Sequence, residues 1–212
     1  MHAIFNSEND ARRGLMQACA RLAPLGIDRG GSLSLRWDRG GAPGLLLTPA
    51  VPVSGPDDFV WMSIALEEVG QARPRMQDVP CAPAVEWRLH RDVLAARPQA
   101  QAVVHLHAVH AATLACLADV QRAGVPAFHP GLALAGGPDL RCTPDASAAG
   151  LQRSREALSA LADRRACLLA GDGLLALHDT LEDLVRLAHA LEALCRIYWQ
   201  VLATGAPARR SV

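Results

Sequence analysis

The hydrophobic period changes several times along this chain, and each change marks an element. Over residues 9–22, Leu15, Met16, Cys19 and Leu22 recur at helical spacing, and Pro24-Leu25-Gly26 supplies a stop. Ser32-Leu33-Ser34-Leu35-Arg36-Trp37 alternates with period two and predicts a strand. Turn chemistry over 38–44 separates it from a second strand at 45–48, so the pair predicts a hairpin. Residues 59–66 predict another strand, and the Pro-rich polar stretch 73–83 a loop. A helix follows at 86–96, with Trp87, His90 and Leu94 on one face, closed before Pro98. An apolar strand at 102–107 and a helix at 110–118 come next. The Gly- and Pro-rich stretch 126–144 predicts one or two short strands. A helix at 151–162, strands at 166–170 and 174–177, and a long helix at 181–202 complete the series. The last carries an apolar stripe of Leu184, Leu187, Ala188, Leu191, Leu194, Cys195 and Tyr198. Residues 206–212 predict a frayed tail.

Strands interspersed with helices predict one α/β domain over residues 1–212: three layers, α/β/α, around a central mixed, largely antiparallel sheet. Half of the 212 residues are hydrophobic, enough for a sizeable core. Basic and acidic residues balance at 21 each, so no net field draws the chain to nucleic acid or to a membrane surface. No apolar run reaches transmembrane length, and the first residues do not form a signal peptide. The six cysteines are scattered without a Cys-x-x-Cys pair, which predicts small core residues in a reducing cytoplasm.

The chemistry concentrates in Val103-Val104-His105-Leu106-His107. Side chains two apart on a strand share a face, so the imidazoles of His105 and His107 project together and can converge on one divalent cation. An isolated His-x-His is as compatible with two ordinary strand histidines. One absence narrows the options further. All 21 basic residues are arginine, and the chain has no lysine. Schiff-base chemistry, pyridoxal-phosphate attachment and a Walker-type phosphate loop are thereby excluded, which leaves a metal ion as the natural electron sink.

Several segments in order resemble the class II aldolase/adducin family, over about residues 15–202. They are Gly31-Ser32-Leu33-Ser34-Leu35-Arg36, Leu47-Thr48-Pro49, Glu86-Trp87-Arg88-Leu89-His90-Arg91, Arg97-Pro98, the stretch 102–107 with its two histidines, and 168–177 followed by the terminal helix. The resemblance implies the three-layer fold, a divalent metal with zinc foremost, a homotetramer with shared sites, and a small-molecule substrate. It places His105 and His107 on two metal ligands and Glu86 on the catalytic acid/base. The family's third histidine falls on Asp172 in Gly171-Asp172-Gly173. Two imidazoles and a carboxylate form a legitimate three-ligand set, although Asp172 could equally hold a tight turn. His110 and His178 are substitutes for Asp172, and His129 reads as structural.

The family's phosphate-binding positions are altered. Its asparagine is Ser32, its Thr-Pro-Ser-Gly reads Thr48-Pro49-Ala50-Val51, and its Ser-Ser-Glu reads Ala84-Val85-Glu86. Ser32 and Thr48 remain as substrate-binding candidates in a corner turned apolar. Middle-segment positions also drift, with Pro130 and Asp145 where aromatics are expected. These changes predict an unphosphorylated hydroxy-carbonyl substrate in preference to a sugar phosphate.

Two functions of different class stay open. One is a metal-dependent aldolase-type lyase that makes or breaks a carbon–carbon bond through an enediolate, with epimerase or decarboxylase outcomes available to the same parts. There Glu86 would move the proton, its acidity tuned by apolar Ala84 and Val85. The other is a catalytically impaired relative with a binding or assembly role. Arg88, Arg91 and Arg97 read as surface or interface charges, and Tyr198-Trp199 as core or subunit packing.

Overall fold

The computed structural model describes residues 5–64 and 81–205. It opens with α1 (Glu8–Leu22), whose first turn is capped by Ser7, its hydroxyl accepting from the Asp10 amide. Then come β1 (Ser32–Arg36), β2 (Gly44–Leu47), β3 (Val60–Ser63), α2 (Trp87–Ala96), β4 (Ala102–Leu106), α3 (Val109–Ala115) and α4 (Ala118–Ala123). The chain continues through α5 (Gly150–Leu161), β5 (Ala166–Leu169), β6 (Gly173–His178) and α6 (Leu181–Ala203). Among the described residues the strands form one six-stranded sheet in the order β3-β2-β1-β4-β6-β5.

Every pairing between these strands is antiparallel. The mixed character expected of the sheet is confined to one isolated parallel bridge, Cys142 to Leu168. The hairpin read from residues 32–48 is present, with Leu35 opposite Leu46. β4 lies at the centre with all five residues buried, as an apolar strand covered on both faces must be.

Alternation along the strands splits the core in two. Leu33, Leu35, Val104, Leu106, Leu174 and Ala176 face α1, α3 and α6. Val103, Cys167, Leu169, Leu175 and Leu177 face α2 and α5. The result is the three-layer α/β/α arrangement that the strand–helix alternation predicts. On β1 the period-two pattern puts Ser32 and Ser34 on the α2 face, and Ser32 is the cross-strand partner of His105.

Some boundaries differ from the sequence reading. The third strand covers Val60–Ser63, and residues 65–66 of the expected strand lie outside the described residues, as do 73–80 of the expected loop and the tail 206–212. The stretch 126–144 builds no strand. It makes isolated bridges at Val125–Leu140 and Cys142–Leu168 and a 3-10 helix, Pro130–Ala135. His129 caps that helix, its Nδ1 accepting from the Gly131 amide at 3.0 Å, which fits its structural reading. The helix expected at 110–118 ends at Ala115, and α4 follows unforeseen. No described helix is long and apolar enough to cross a membrane, and all six cysteines are free thiols.

Candidate metal centre

The site forms where three chain segments meet at one end of β4. Its first element is β4 itself, which carries His105, with His107 just beyond its last residue. The two rings lie edge to face with centroids 4.8 Å apart, so they converge as the i, i+2 spacing requires.

The second is the tight β5–β6 hairpin. Leu169 pairs with Gly173, the Asp172 amide donates to the Leu169 carbonyl, and Gly171 sits at φ 66°, a left-handed conformation suited to glycine. Gly173 is required for another reason. A Cβ there would stand 2.1 Å from the Leu106 carbonyl oxygen, so only glycine lets the hairpin close onto β4 beside the histidines. Asp172 is thereby delivered between the two rings: one carboxylate oxygen, Oδ2, is 2.9 Å from His105 Nε2 and the other, Oδ1, 2.7 Å from His107 Nδ1. The turn is held by backbone, while the carboxylate is spent on the imidazoles and on Arg153.

The third is the start of α2. Residues 82–84 pair with 48–50: the Ala50 amide donates to Ala82, and the Ala84 amide to the Thr48 carbonyl. This pairing sets Glu86 at the N-cap of α2. Its carboxylate makes no capping hydrogen bond there, so the helix end does not account for its orientation. It lies instead 3.2 Å from Nε of Arg153, a residue of α5. The apolar surroundings expected for Glu86 are not present on the Val85 side, because Val85 is 85 % exposed.

Ligand atoms of His105, His107 and Asp172 all lie within 4.8 Å of one another. His105 is buried and held neutral, its pKa pushed down to about 3 by burial first and then by the neighbouring His107. Both its ring nitrogens are buried without a hydrogen-bond partner, since the close approach to Asp172 lacks hydrogen-bond geometry. A buried, neutral imidazole with a free lone pair, beside a second imidazole and a carboxylate, fits a divalent transition-metal ion.

The other sequence candidates go elsewhere. His110 Nδ1 lies 2.8 Å from a Glu192 oxygen on α6, and His178 Nδ1 accepts from the Asp179 amide, so neither joins the cluster. Ser32 is buried, and its hydroxyl is 2.7 Å from His90 Nε2, while Ser34 Oγ is 2.8 Å from His90 Nδ1. Thr48 is buried with its hydroxyl accepting from the Leu33 amide. The Ser32 hydroxyl is thus engaged inside the protein, while that of Thr48 accepts a backbone bond and can still donate. The neighbouring corner is apolar, with a cavity of about 340 Å³ lined by Met16, Cys19, Ile27, Thr48, Ala50 and Val51 among others. Arg91 is buried rather than a surface charge, paired with Asp92 at 2.7 Å and stacked on Trp87.

Two residues of this region escape a reading of the sequence. His90 reads only as a helix-face residue, although Glu86 and His90 at i, i+4 and Ser-x-Ser on β1 hint at a shared face. Arg153 left a fainter signal: it stands one helical turn before Ala157, which is fully buried, so an arginine falls on the inner side of α5.

The family model for the class II aldolase and adducin N-terminal domain matches residues 13–199. A 5-methylthioribulose-1-phosphate/5-deoxyribulose-1-phosphate aldolase of Rhodospirillum rubrum is 38% identical over 201 residues, covering 92% of this chain and 83% of its own. An L-fuculose phosphate aldolase of Escherichia coli K12 is 32% identical, covering 94% of this chain and 87% of its own. Among solved structures, an L-fuculose 1-phosphate aldolase superposes with a TM-score of 0.79 at 27% identity, covering 93% of this chain and 89% of that one. Sequence and fold agree: this chain belongs to the class II aldolase and adducin N-terminal domain family.

Proposed function

We propose that the protein is a metal-dependent aldolase that cleaves a small ketose 1-phosphate, working as a homo-oligomer. The observation that carries this reading is the convergence of His105, His107 and Asp172 with Glu86 close by, linked to Asp172 through Arg153. The expectation of an unphosphorylated substrate finds no support, because the relatives at 38% and 32% identity are named for phosphorylated sugars. The Ser32 hydroxyl is engaged with His90 in this arrangement, whereas Thr48 accepts from the Leu33 amide and keeps its own O–H able to donate beside the cavity.

His105, His107 and Asp172 would hold the cation, with zinc the first candidate. When bound, it supplies Lewis-acid stabilisation of the negative charge that develops on the substrate's carbonyl oxygen. The chain's own residues do the rest. Burial disfavours protonation of His105, which leaves its lone pair available to a cation. Glu86 projects from the start of a rigid helix toward the same site and is the group that holds or moves the proton on the substrate carbon. Exposed apolar side chains on α6 (Ile197, Trp199 and Leu202), together with Val109 at the start of α3, support the oligomeric reading.

The test is retro-aldol cleavage of 5-deoxyribulose 1-phosphate by zinc-loaded protein, with the acetaldehyde that both the phosphorylated and the unphosphorylated sugar would release read by coupled reduction with alcohol dehydrogenase and NADH. Turnover that falls sharply with unphosphorylated 5-deoxyribulose supports the proposal. Equal turnover of both removes the phosphate requirement. Failure with both of these, and with L-fuculose 1-phosphate, removes the aldolase reading.

A further inference from the structure

Arg153 brings a permanent positive charge into the proposed metal site. Its Nη2 donates to Asp172 Oδ2 and its Nε faces Glu86 Oε2. The side chain is 12 % exposed, and Nε is buried without a hydrogen-bond partner. A guanidinium is placed this deeply only where carboxylates compensate it, and here two do. Glu86 and Asp172 contribute two carboxylates and Arg153 one guanidinium. The arginine therefore halves the negative charge that would attract a divalent cation.

Position matters as much as charge. Asp172 Oδ2, the oxygen Arg153 donates to, is also the oxygen 2.9 Å from His105 Nε2. A cation that takes this oxygen together with His105 Nε2 must share it with the guanidinium or displace it, and one that takes Oδ1 beside His107 still faces the charge of Arg153 across the same carboxylate.

We infer that Arg153 is a built-in counter-charge that competes with the divalent cation for Asp172 and so sets the metal affinity of the site. The inference rests on reading His105, His107 and Asp172 as the metal set. Arg153 bridges the two carboxylates. On metal uptake it gives up Asp172 and keeps Glu86, so cation binding and the placement of the proton-moving group are linked through one side chain. Arg153 acts here as a positioning residue.

The experiment is titration of Co²⁺ into chelator-treated full-length protein, followed by the visible absorption of the bound ion. Wild type, R153M and R153K are compared, with circular dichroism to confirm folding. R153M keeps the stem and removes the charge, and should bind Co²⁺ tighter by about tenfold or more. R153K keeps a charge without the fork and should stay within about threefold of wild type. Should R153M not fold, R153Q carries the same expectation as R153M. Wild type that binds Co²⁺ with R153M equal or weaker overturns the counter-charge role and leaves the metal reading standing. Tightening by R153K as large as that by R153M also overturns it, since charge would not be the cause. Absence of the Co²⁺ spectrum in every variant overturns both readings.

Discussion

Two polar clusters sit side by side on the α2 face of the central sheet, joined at the cross-strand pair Ser32 and His105. In the first, His90 reaches from α2 between two serines of β1 and meets Ser32 and Ser34 at 2.7 and 2.8 Å. A neutral imidazole has one N–H and one lone pair, so one hydroxyl accepts from the ring and the other donates to it. That cluster is closed. In the second, His105, His107, Asp172, Arg153 and Glu86 crowd together, yet both His105 nitrogens and Arg153 Nε lack hydrogen-bond partners. That cluster is open. Buried polar groups are satisfied in the great majority of cases. The contrast between these adjacent clusters therefore separates a device that holds the fold from one left with capacity for a ligand.

The comparison breaks first at Glu86. If the open cluster is the reaction site, E86Q should lower kcat on a ketose 1-phosphate by about a hundredfold or more, with thermal stability and Co²⁺ stoichiometry unchanged. Retained activity would move the proton-transfer role to another group. A loss of stability comparable to that of a core substitution would place Glu86 in the closed category.

H90L tests the opposite side. Removing the ring leaves two buried hydroxyls without their partner, which should cost about 3 kcal/mol in urea unfolding. Metal binding should persist, because His105 and Asp172 do not depend on His90 for their placement. Loss of metal with little loss of stability would join the two clusters into one functional unit.

The third test uses acid. Burial, and then the nearby His105, push the His90 pKa down to about 3 from an ordinary 6.5. The unfolded chain takes up this proton at 6.5 and the folded chain does not, so stability is full above that pH and falls as pH drops toward 3. The slope from His90 alone is about 1.4 kcal/mol per pH unit. Urea unfolding of wild type at stepped pH should show it, and H90L should lack that share of the slope. A parallel profile in the variant would mean that His90 titrates normally in the fold.

The smallest effect belongs to Ser32. S32A should cost about 1 kcal/mol of stability and leave KM for a ketose 1-phosphate within about twofold, because its hydroxyl faces His90. A tenfold rise in KM would return Ser32 to the substrate.

Much of this molecule is legible in its sequence for local reasons. Period-two alternation in 32–37, the glycine-rich turn after it and the helical stripe in 181–202 report features that depend only on neighbours along the chain. The pairing of His105 with His107 is local too, since a strand fixes which residues share a face. Residues 126–144 are not legible in this way, because Gly and Pro mark irregular backbone without saying which kind, and isolated bridges and a 3-10 turn satisfy it instead of strands.

What the sequence by itself determined is the set of elements and the chemistry of the lysine-free His-x-His strand, because backbone geometry and side-chain type are properties of short segments. What only the tertiary structure decided is where side chains from distant segments end up. Asp172 could have served its own turn, yet Gly173 lets the hairpin close on β4 and the carboxylate goes to the histidines. Ser32 could have faced a ligand, yet α2 packs over it and His90 takes its hydroxyl. Arg153 could have been one more surface arginine, yet α5 turns it inward onto two carboxylates that lie 19 and 67 positions away in the chain. Charge pairs of this kind are fixed by the packing of layers, which no local pattern encodes.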